Sequence, residues 1–226
     1  MASRKKKESK PQKLIVLIVG IFVICMAALM FISNPSSSTV EALNVENQPY
    51  LGQESAPVQI IEFGDYKCPI CKNFHEGFVS QIEKDFVETG QAKFYFLNYS
   101  FIHVDSIRSA KFAETVYEEL GNDVFWKFHD LLYEKQPEDL KYEKIDVFTE
   151  EFLENLLKEI VSEQEASKVL SSFQQNKAEA AWDKDMKLAN KLKLTGTPTI
   201  YVNGKQFEGN SYEDLKDMVE DAIKGE

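Results

Sequence analysis

Val58-Gln59-Ile60-Ile61-Glu62-Phe63-Gly64-Asp65-Tyr66-Lys67-Cys68-Pro69-Ile70-Cys71-Lys72-Asn73-Phe74-His75 is the stretch on which the fold turns. Val58 to Phe63 is apolar enough for a buried strand, with Glu62 the exception. Gly64-Asp65-Tyr66-Lys67 leads out of that strand, and Lys72 to His75 reads as the first turns of a helix. Two thiols, Cys68 and Cys71, therefore stand one helical turn apart where a strand meets a helix N-terminus. That placement points to a redox-active dithiol.

Disulfide exchange needs one accessible thiol that ionises near neutral pH and a second that resolves the mixed disulfide. Cys68 sits where free backbone N–H groups and the helix dipole favour a thiolate. Pro69 suits the first helical position, because the N–H it lacks would be unpaired there. Cys71, one turn further in, is expected to be less accessible and to resolve. Period-two alternation places Glu62 on a face with Val58 and Ile60, beneath the cysteines, where burial raises a carboxyl pKa. Such an acid can carry a proton to or from Cys71. The alternative for Glu62 is an acid reaching solvent at a strand end. The alternative for the cysteines is half a zinc site, because Cys68-x-x-Cys71-x-x-x-His75 has zinc-like spacing. A fourth ligand is hard to find: the other cysteine, Cys25, lies in an apolar run, and His103 and His129 sit among apolar residues.

Outward from this motif, the helix is expected to run to about Val87 and stop at Thr89-Gly90. Lys93 to Leu97 follows as an aromatic strand. Helical periodicity then covers Asp105 to Leu120, a second helix capped by Asn122, a third from Thr149 to about Ile160, and shorter ones over Glu163 to Phe173 and Ala178 to Lys191. Strand signals return at Thr199 to Val202, with an Asn203-Gly204 turn and a short Lys205 to Phe207 strand. Ser211 caps a last helix. The order is β-α-β, a helical insert of about 103–191, then β-β-α, an α/β class.

The chain has 226 residues and is 43% hydrophobic, enough for one good core. It carries 26 Lys and Arg against 37 Asp and Glu, and six of those cations with a single acid fall in residues 1–32. The remainder is therefore strongly acidic, which argues against nucleic acid as a partner. Leu14 to Ile32 is an uncharged run of 19 residues, about 28 Å of helix and long enough to span a bilayer. The basic segment 1–13 before it stays cytoplasmic by the positive-inside rule, so the rest lies outside the cell membrane. A cleaved signal peptide is the rival, but the run is long for one and Ser33-Asn34-Pro35 offers no Ala-x-Ala site. The reading is a single-pass anchor at 14–32, a polar linker at 33–47, and a folded domain over 48–226.

Gly196-Thr197-Pro198-Thr199, directly before a strand, is the second motif, since X-Pro is the one peptide bond at which cis costs little. Glu62 to Cys71 together with Thr195 to Ile200, separated by a helical insert, resembles the DsbA-like thioredoxin-fold oxidoreductases, most of all their membrane-anchored Gram-positive BdbD branch. The likeness covers Gln48 to the C-terminus. It implies a thioredoxin fold with an inserted α-helical domain and a cis Thr197-Pro198 bond that faces Cys68 and binds substrate backbone. It makes Cys68, Cys71 and Glu62 catalytic, with Cys68–Cys71 as the redox disulfide. It further implies oxidation of free thiols in exported proteins, no cofactor for catalysis, and re-oxidation by a quinone-linked membrane partner of the DsbB or BdbC type. One departure stands out: Ile70 occupies a place between the cysteines where strong oxidants of the family often have His. The resemblance also implies a structural calcium whose side-chain ligands fall on Gln48, Glu114 and Asp185, all oxygen donors; ordinary surface polarity is the alternative. The same dithiol admits a reductase or isomerase, and a non-catalytic metal-binding or redox-sensing module is a third reading.

Overall fold

The computed structural model describes residues 43–225. The basic segment and the run Leu14 to Ile32 lie outside them, and among the described residues no helix is long and apolar enough to cross a membrane. The strands are β1 (Tyr50–Leu51), β2 (Val58–Gly64), β3 (Ala92–Asn98), β4 (Thr199–Val202) and β5 (Lys205–Gln206), in the sheet order β1-β3-β2-β4-β5. Central β2 runs parallel to β3, with Glu62 opposite Phe96, and antiparallel to β4, with Glu62 opposite Ile200.

Helix α1 (Pro69–Phe74) continues as a helical run through two wider π turns, His75–Val79 and Glu83–Val87. Gly90 closes it at φ 72°, a conformation that glycine adopts without steric cost. Five further helices separate β3 from β4: α2 (Val104–Leu120), α3 (Asn122–Glu134), α4 (Glu150–Leu157), α5 (Glu163–Gln174) and α6 (Glu179–Lys191). Helix α7 (Tyr212–Lys224) ends the fold, capped by Ser211, which accepts from the Asp214 N–H. This is the expected α/β architecture with its helical insert.

Alternation along β2 sorts the core into two layers. Val58 and Ile60 face a cluster built by α1, the insert and α7, including Ile82, Phe112, Phe128 and Leu215. Ile61 and Phe63 face the other way, onto Tyr95, Leu97, Ala189 and Leu194. Leu43 and Val45 are buried in that second layer, so part of the segment read as linker packs against the sheet. Their two apolar side chains are too few to show a period in the sequence.

One strand was not read from the sequence, and one local expectation changes. Tyr50–Leu51 is a strand, paired antiparallel with β3. Asn122 does not cap α3; the N-cap is Gly121. The Asn122 side chain instead accepts from the Tyr50 N–H at 2.9 Å and donates to the Tyr50 carbonyl at 2.8 Å. An amide offers both a donor and an acceptor, so it stands in for a neighbouring strand at the sheet edge.

Candidate active site

The end of β2 delivers the chain into a turn in which Cys68 N–H donates to the Asp65 carbonyl at 2.9 Å. Asp65 holds that turn against the insert: its carboxylate accepts from the N–H groups of Lys67 at 2.8 Å, Phe101 at 3.0 Å and Ile102 at 3.2 Å. Cys68 is then the N-cap of α1, with Pro69 at the first helical position.

Both thiols are buried, Cys68 at 6% exposure and Cys71 at 0%, so Cys68 is less accessible than the sequence led one to expect. Their two pKa values nevertheless move in opposite directions. Both cysteines are free, and the Cys71 N–H points at the Cys68 sulfur at 3.4 Å. Hydrogen bonding from Cys71 lowers the Cys68 pKa to about 6, against the opposing effect of burial, with further help from Thr197 and the helix N–H groups. Cys71 is fully buried, and desolvation, the hydrogen bond with Cys68 and the nearby Glu62 charge push its pKa well up. Ile70, between them in sequence, is 64% exposed and contributes no side-chain donor, only its backbone N–H. The low pKa of Cys68 therefore comes from the helix terminus and its own partner, as the sequence required.

Thr197-Pro198 is a cis peptide bond, and the Thr197 carbonyl lies 3.4 Å from the Cys68 sulfur. Beside it a groove of about 500 Å³ is lined by Ile70, Phe74, Phe78, Pro198 and Phe207 among others. Glu62 is 0% exposed, and neither carboxyl oxygen has a hydrogen-bond partner among the described residues. Desolvation first, and then the Cys68 charge, raise its pKa well above the usual carboxylate range. The acid is buried, not a solvent-reaching strand end.

The sequence model of the thioredoxin family matches residues 44–221. Disulfide bond formation protein D of Bacillus subtilis (strain 168) is 36% identical over 195 residues, covering 80% of each chain. The chain belongs to this family of thioredoxin-fold disulfide bond formation proteins. The probable disulfide bond formation protein D of Bacillus anthracis is 29% identical over 207 residues, covering 92% of this chain and 93% of its own. The crystal structure of oxidised BdbD from Bacillus subtilis superposes with a TM-score of 0.74 at 35% identity, over 80% of this chain and 95% of that one. DsbA of Chlamydia trachomatis shares the fold, with a TM-score of 0.67 at 18% identity over 80% of this chain and 94% of that one. Membership makes the protein a thiol–disulfide oxidoreductase of the disulfide-forming kind.

Among the described residues the cysteines gather no third zinc ligand. His75 turns its Nε2 to Asp130 at 3.1 Å, and among the described residues no three His, Cys, Asp or Glu side chains converge on a metal position. His103 is also accounted for, with its Nδ1 2.7 Å from Asp105 Oδ1 at the start of α2.

Gln48, Glu114 and Asp185, 137 residues apart at the extremes, meet in one buried cluster. Gln48 Nε2 donates to Asp185 Oδ1 at 2.6 Å. Asn98, which sequence reading missed, joins them: its side chain donates to Glu114 Oε1 at 2.7 Å and its N–H to Asp185 Oδ2 at 2.8 Å. Burial removes ordinary surface polarity as an explanation. Gln48 Oε1 and Asn98 Oδ1 are buried acceptors without a donor among the described residues. Burial and the neighbouring Asp185 raise the Glu114 pKa, and burial raises that of Asp185 to about 7. Two amide oxygens and two carboxylates in excess of donors fit a hard cation.

Proposed function

We propose that this family member is an extracytoplasmic thiol oxidase, anchored by Leu14 to Ile32, that introduces disulfides into exported proteins. The observation that carries the reading is the contrast between the two sulfurs. A substrate thiolate attacks Cys68 of the disulfide; the Cys68–Cys71 bond breaks and its electron pair leaves on Cys71. Cys71, whose burial disfavours the anion, takes the proton of Glu62. A second substrate thiolate then attacks the substrate sulfur and expels Cys68. The substrate has lost two electrons and the dithiol has gained them. A leaving thiol of low pKa departs faster, and a stabilised thiolate favours the reduced enzyme, so Cys68 drives oxidation forward. Thr197 and Pro198 flank Cys68 and present backbone to the substrate, and the adjoining groove receives its apolar side chains. The electrons pass to a quinone-linked membrane oxidase.

The test is the redox equilibrium of Cys68–Cys71 against glutathione. A potential near −120 mV is expected, and one near −270 mV would make the protein a reductant. The pH dependence has a definite sign. The Cys68 pKa is depressed to about 6 from 9.0, so the stability its thiolate gives the reduced form is fully present above the unfolded pKa and disappears as pH falls through about 6. The melting-temperature lead of reduced over oxidised protein will shrink as pH falls from 8 to about 6 and level off below it; a lead that is flat from pH 5 to 8 removes the thiolate as its source.

Gln48, Asn98, Glu114 and Asp185 would hold a structural calcium, which supplies the positive charge that this acceptor-rich cluster lacks. With calcium at 100 times its Kd, the fold gains about 2.7 kcal/mol. Thermal melting with and without chelator will show that gain, and Asp185→Asn will abolish it. Equal melting with calcium and with chelator overturns the assignment.

A further inference from the structure

Around Glu62, beneath the cysteines, lie further buried polar groups that the exchange step does not use directly, and Tyr133 feels both the Cys71 and the Glu62 charge. Glu62 Oε1 and Oε2, Tyr133 hydroxyl, His129 Nε2 and His75 Nδ1 are all buried and without a hydrogen-bond partner among the described residues. Their rings are in contact: Tyr133 is stacked on His75 at 5.1 Å between centroids, His129 is 5.0 Å from Tyr133, and His75 is 4.8 Å from His129. Tyr66 fixes His129 through a 2.9 Å contact between its hydroxyl and Nδ1. His75 in turn reaches Asp130 at 3.1 Å, and that carboxylate is 61% exposed.

Unpaired buried polar atoms are costly, and clusters of them are where proteins hold internal water, each molecule making about three hydrogen bonds. Glu62 also needs resupply. After giving its proton to Cys71 it is left as a buried, unpaired carboxylate until the dithiol is re-oxidised, which is costly, and it has no exposed surface through which to regain a proton. We propose that Tyr133 and His75, joined by bound water, form a proton path between Glu62 and solvent at Asp130. The proton enters at Asp130, crosses His75 and Tyr133, and restores the Glu62 carboxylic acid; re-oxidation runs the same path outward. His129 stays neutral, because burial and then His75 lower its pKa well below the usual value, so it orients water as a hydrogen-bonding group, not as a charge. Tyr133 and His75 are positioning residues that act through Glu62. The charged and titratable groups around the path include Glu62, Cys68, Cys71, Asp65, Tyr66, His129, Asp130 and Glu83.

The inference rests on Glu62 being the proton donor to Cys71, so the experiment includes that residue. Oxidation of a small dithiol peptide by full-length protein is followed in one turnover, in H₂O and D₂O, for Tyr133→Phe, His75→Gln and Glu62→Gln, with the reduction potential of each. Tyr133→Phe and His75→Gln are expected to slow the reaction about tenfold, less than the 10²–10⁴ of a direct donor because water substitutes in part. Their solvent isotope effect rises and their potential stays at the wild-type value. His75→Gln lies at the partly exposed end and keeps the test alive if Tyr133→Phe fails to fold. If Glu62→Gln is slow while both others match wild type, the path is wrong and the role of Glu62 stands. If Glu62→Gln is also unchanged, both fall. A rate loss matched by a shifted potential means a structural effect and likewise overturns the path.

Discussion

Cys71→Ser will stop turnover and leave disulfide-containing substrates covalently attached through Cys68, one substrate sulfur joining Cys68 and the other leaving as a thiolate. The Cys68 pKa is lowered to about 6, first by hydrogen bonding from Cys71. A serine hydroxyl can donate in place of that thiol, and the Thr197 and helix N–H contributions remain, so Cys68 stays competent for exchange in the variant. The resolving group is lost: serine is too weak a nucleophile to displace a sulfur, and Cys71 is the thiol whose backbone N–H already lies at 3.4 Å from Cys68. Mixed disulfides with substrate therefore accumulate instead of passing through. Non-reducing electrophoresis of the variant mixed with oxidised peptide or protein substrates will show the adduct, and mass spectrometry will place the link at Cys68. The reciprocal variant, Cys68→Ser, will show almost none, because Cys71 is fully buried and its pKa is pushed up by that burial. Trapping through Cys71 would falsify the assigned order.

Asp105→Ala will cost about 3–5 kcal/mol, the range for leaving one buried charge of a pair uncompensated. Asp105 and Lys67 are 0% and 2% exposed in their side chains and lie 3.1 Å apart. Asp105 Oδ2 also accepts from the N–H groups of Val147 at 2.8 Å and Phe148 at 3.1 Å. Lys67 would keep the Tyr142 and Ile145 carbonyls but no opposite charge. For a protein of this size the loss is about 10 °C in melting temperature. Because Lys67 immediately precedes Cys68, the damage reaches the active-site turn as well as the insert. The wild type will show the same linkage in acid. Burial acts to raise the Asp105 pKa, but donation from Val147, Phe148, His103 and Lys67 outweighs it and the pKa is lowered. A depressed carboxylate contributes stability that is present above its unfolded value and lost as pH falls through the folded one. Denaturant titrations of both proteins at pH 7 and below pH 3.8, the ordinary Asp value beneath which the Asp105 pKa lies, should therefore converge as pH drops. A difference below about 1 kcal/mol at pH 7 would reduce the pair to the worth of a surface ion pair.

The dithiol, the alternation that aims Glu62 under it, the Asn203-Gly204 turn and the Ser211 cap were all legible in the residues. Each is a local feature, and local steric and hydrogen-bonding preferences leave a mark within a few positions of chain. The turn residues, for example, sit at φ 45° and 79°, as the favoured two-residue hairpin demands. Resemblance supplied what spacing could not, namely the cis bond at Thr197-Pro198 and the meeting of Gln48, Glu114 and Asp185.

What neither reached depends on pairings between distant segments. Lys67 and Asp105 read as ordinary charges until the turn before Cys68 docks on the start of α2. Asn98 reads as the polar end of a strand until Asp185 arrives from α6. His129 was correctly placed among apolar neighbours, but the hydroxyl that holds it belongs to Tyr66, 63 residues away. By itself the sequence determined the reaction centre, because two thiols at a helix N-terminus define their chemistry within one turn. Only the tertiary structure decided how that centre is charged and supplied with protons. Burial and electrostatic coupling depend on distances through space, and those exist only after β2, α3 and the insert have packed together.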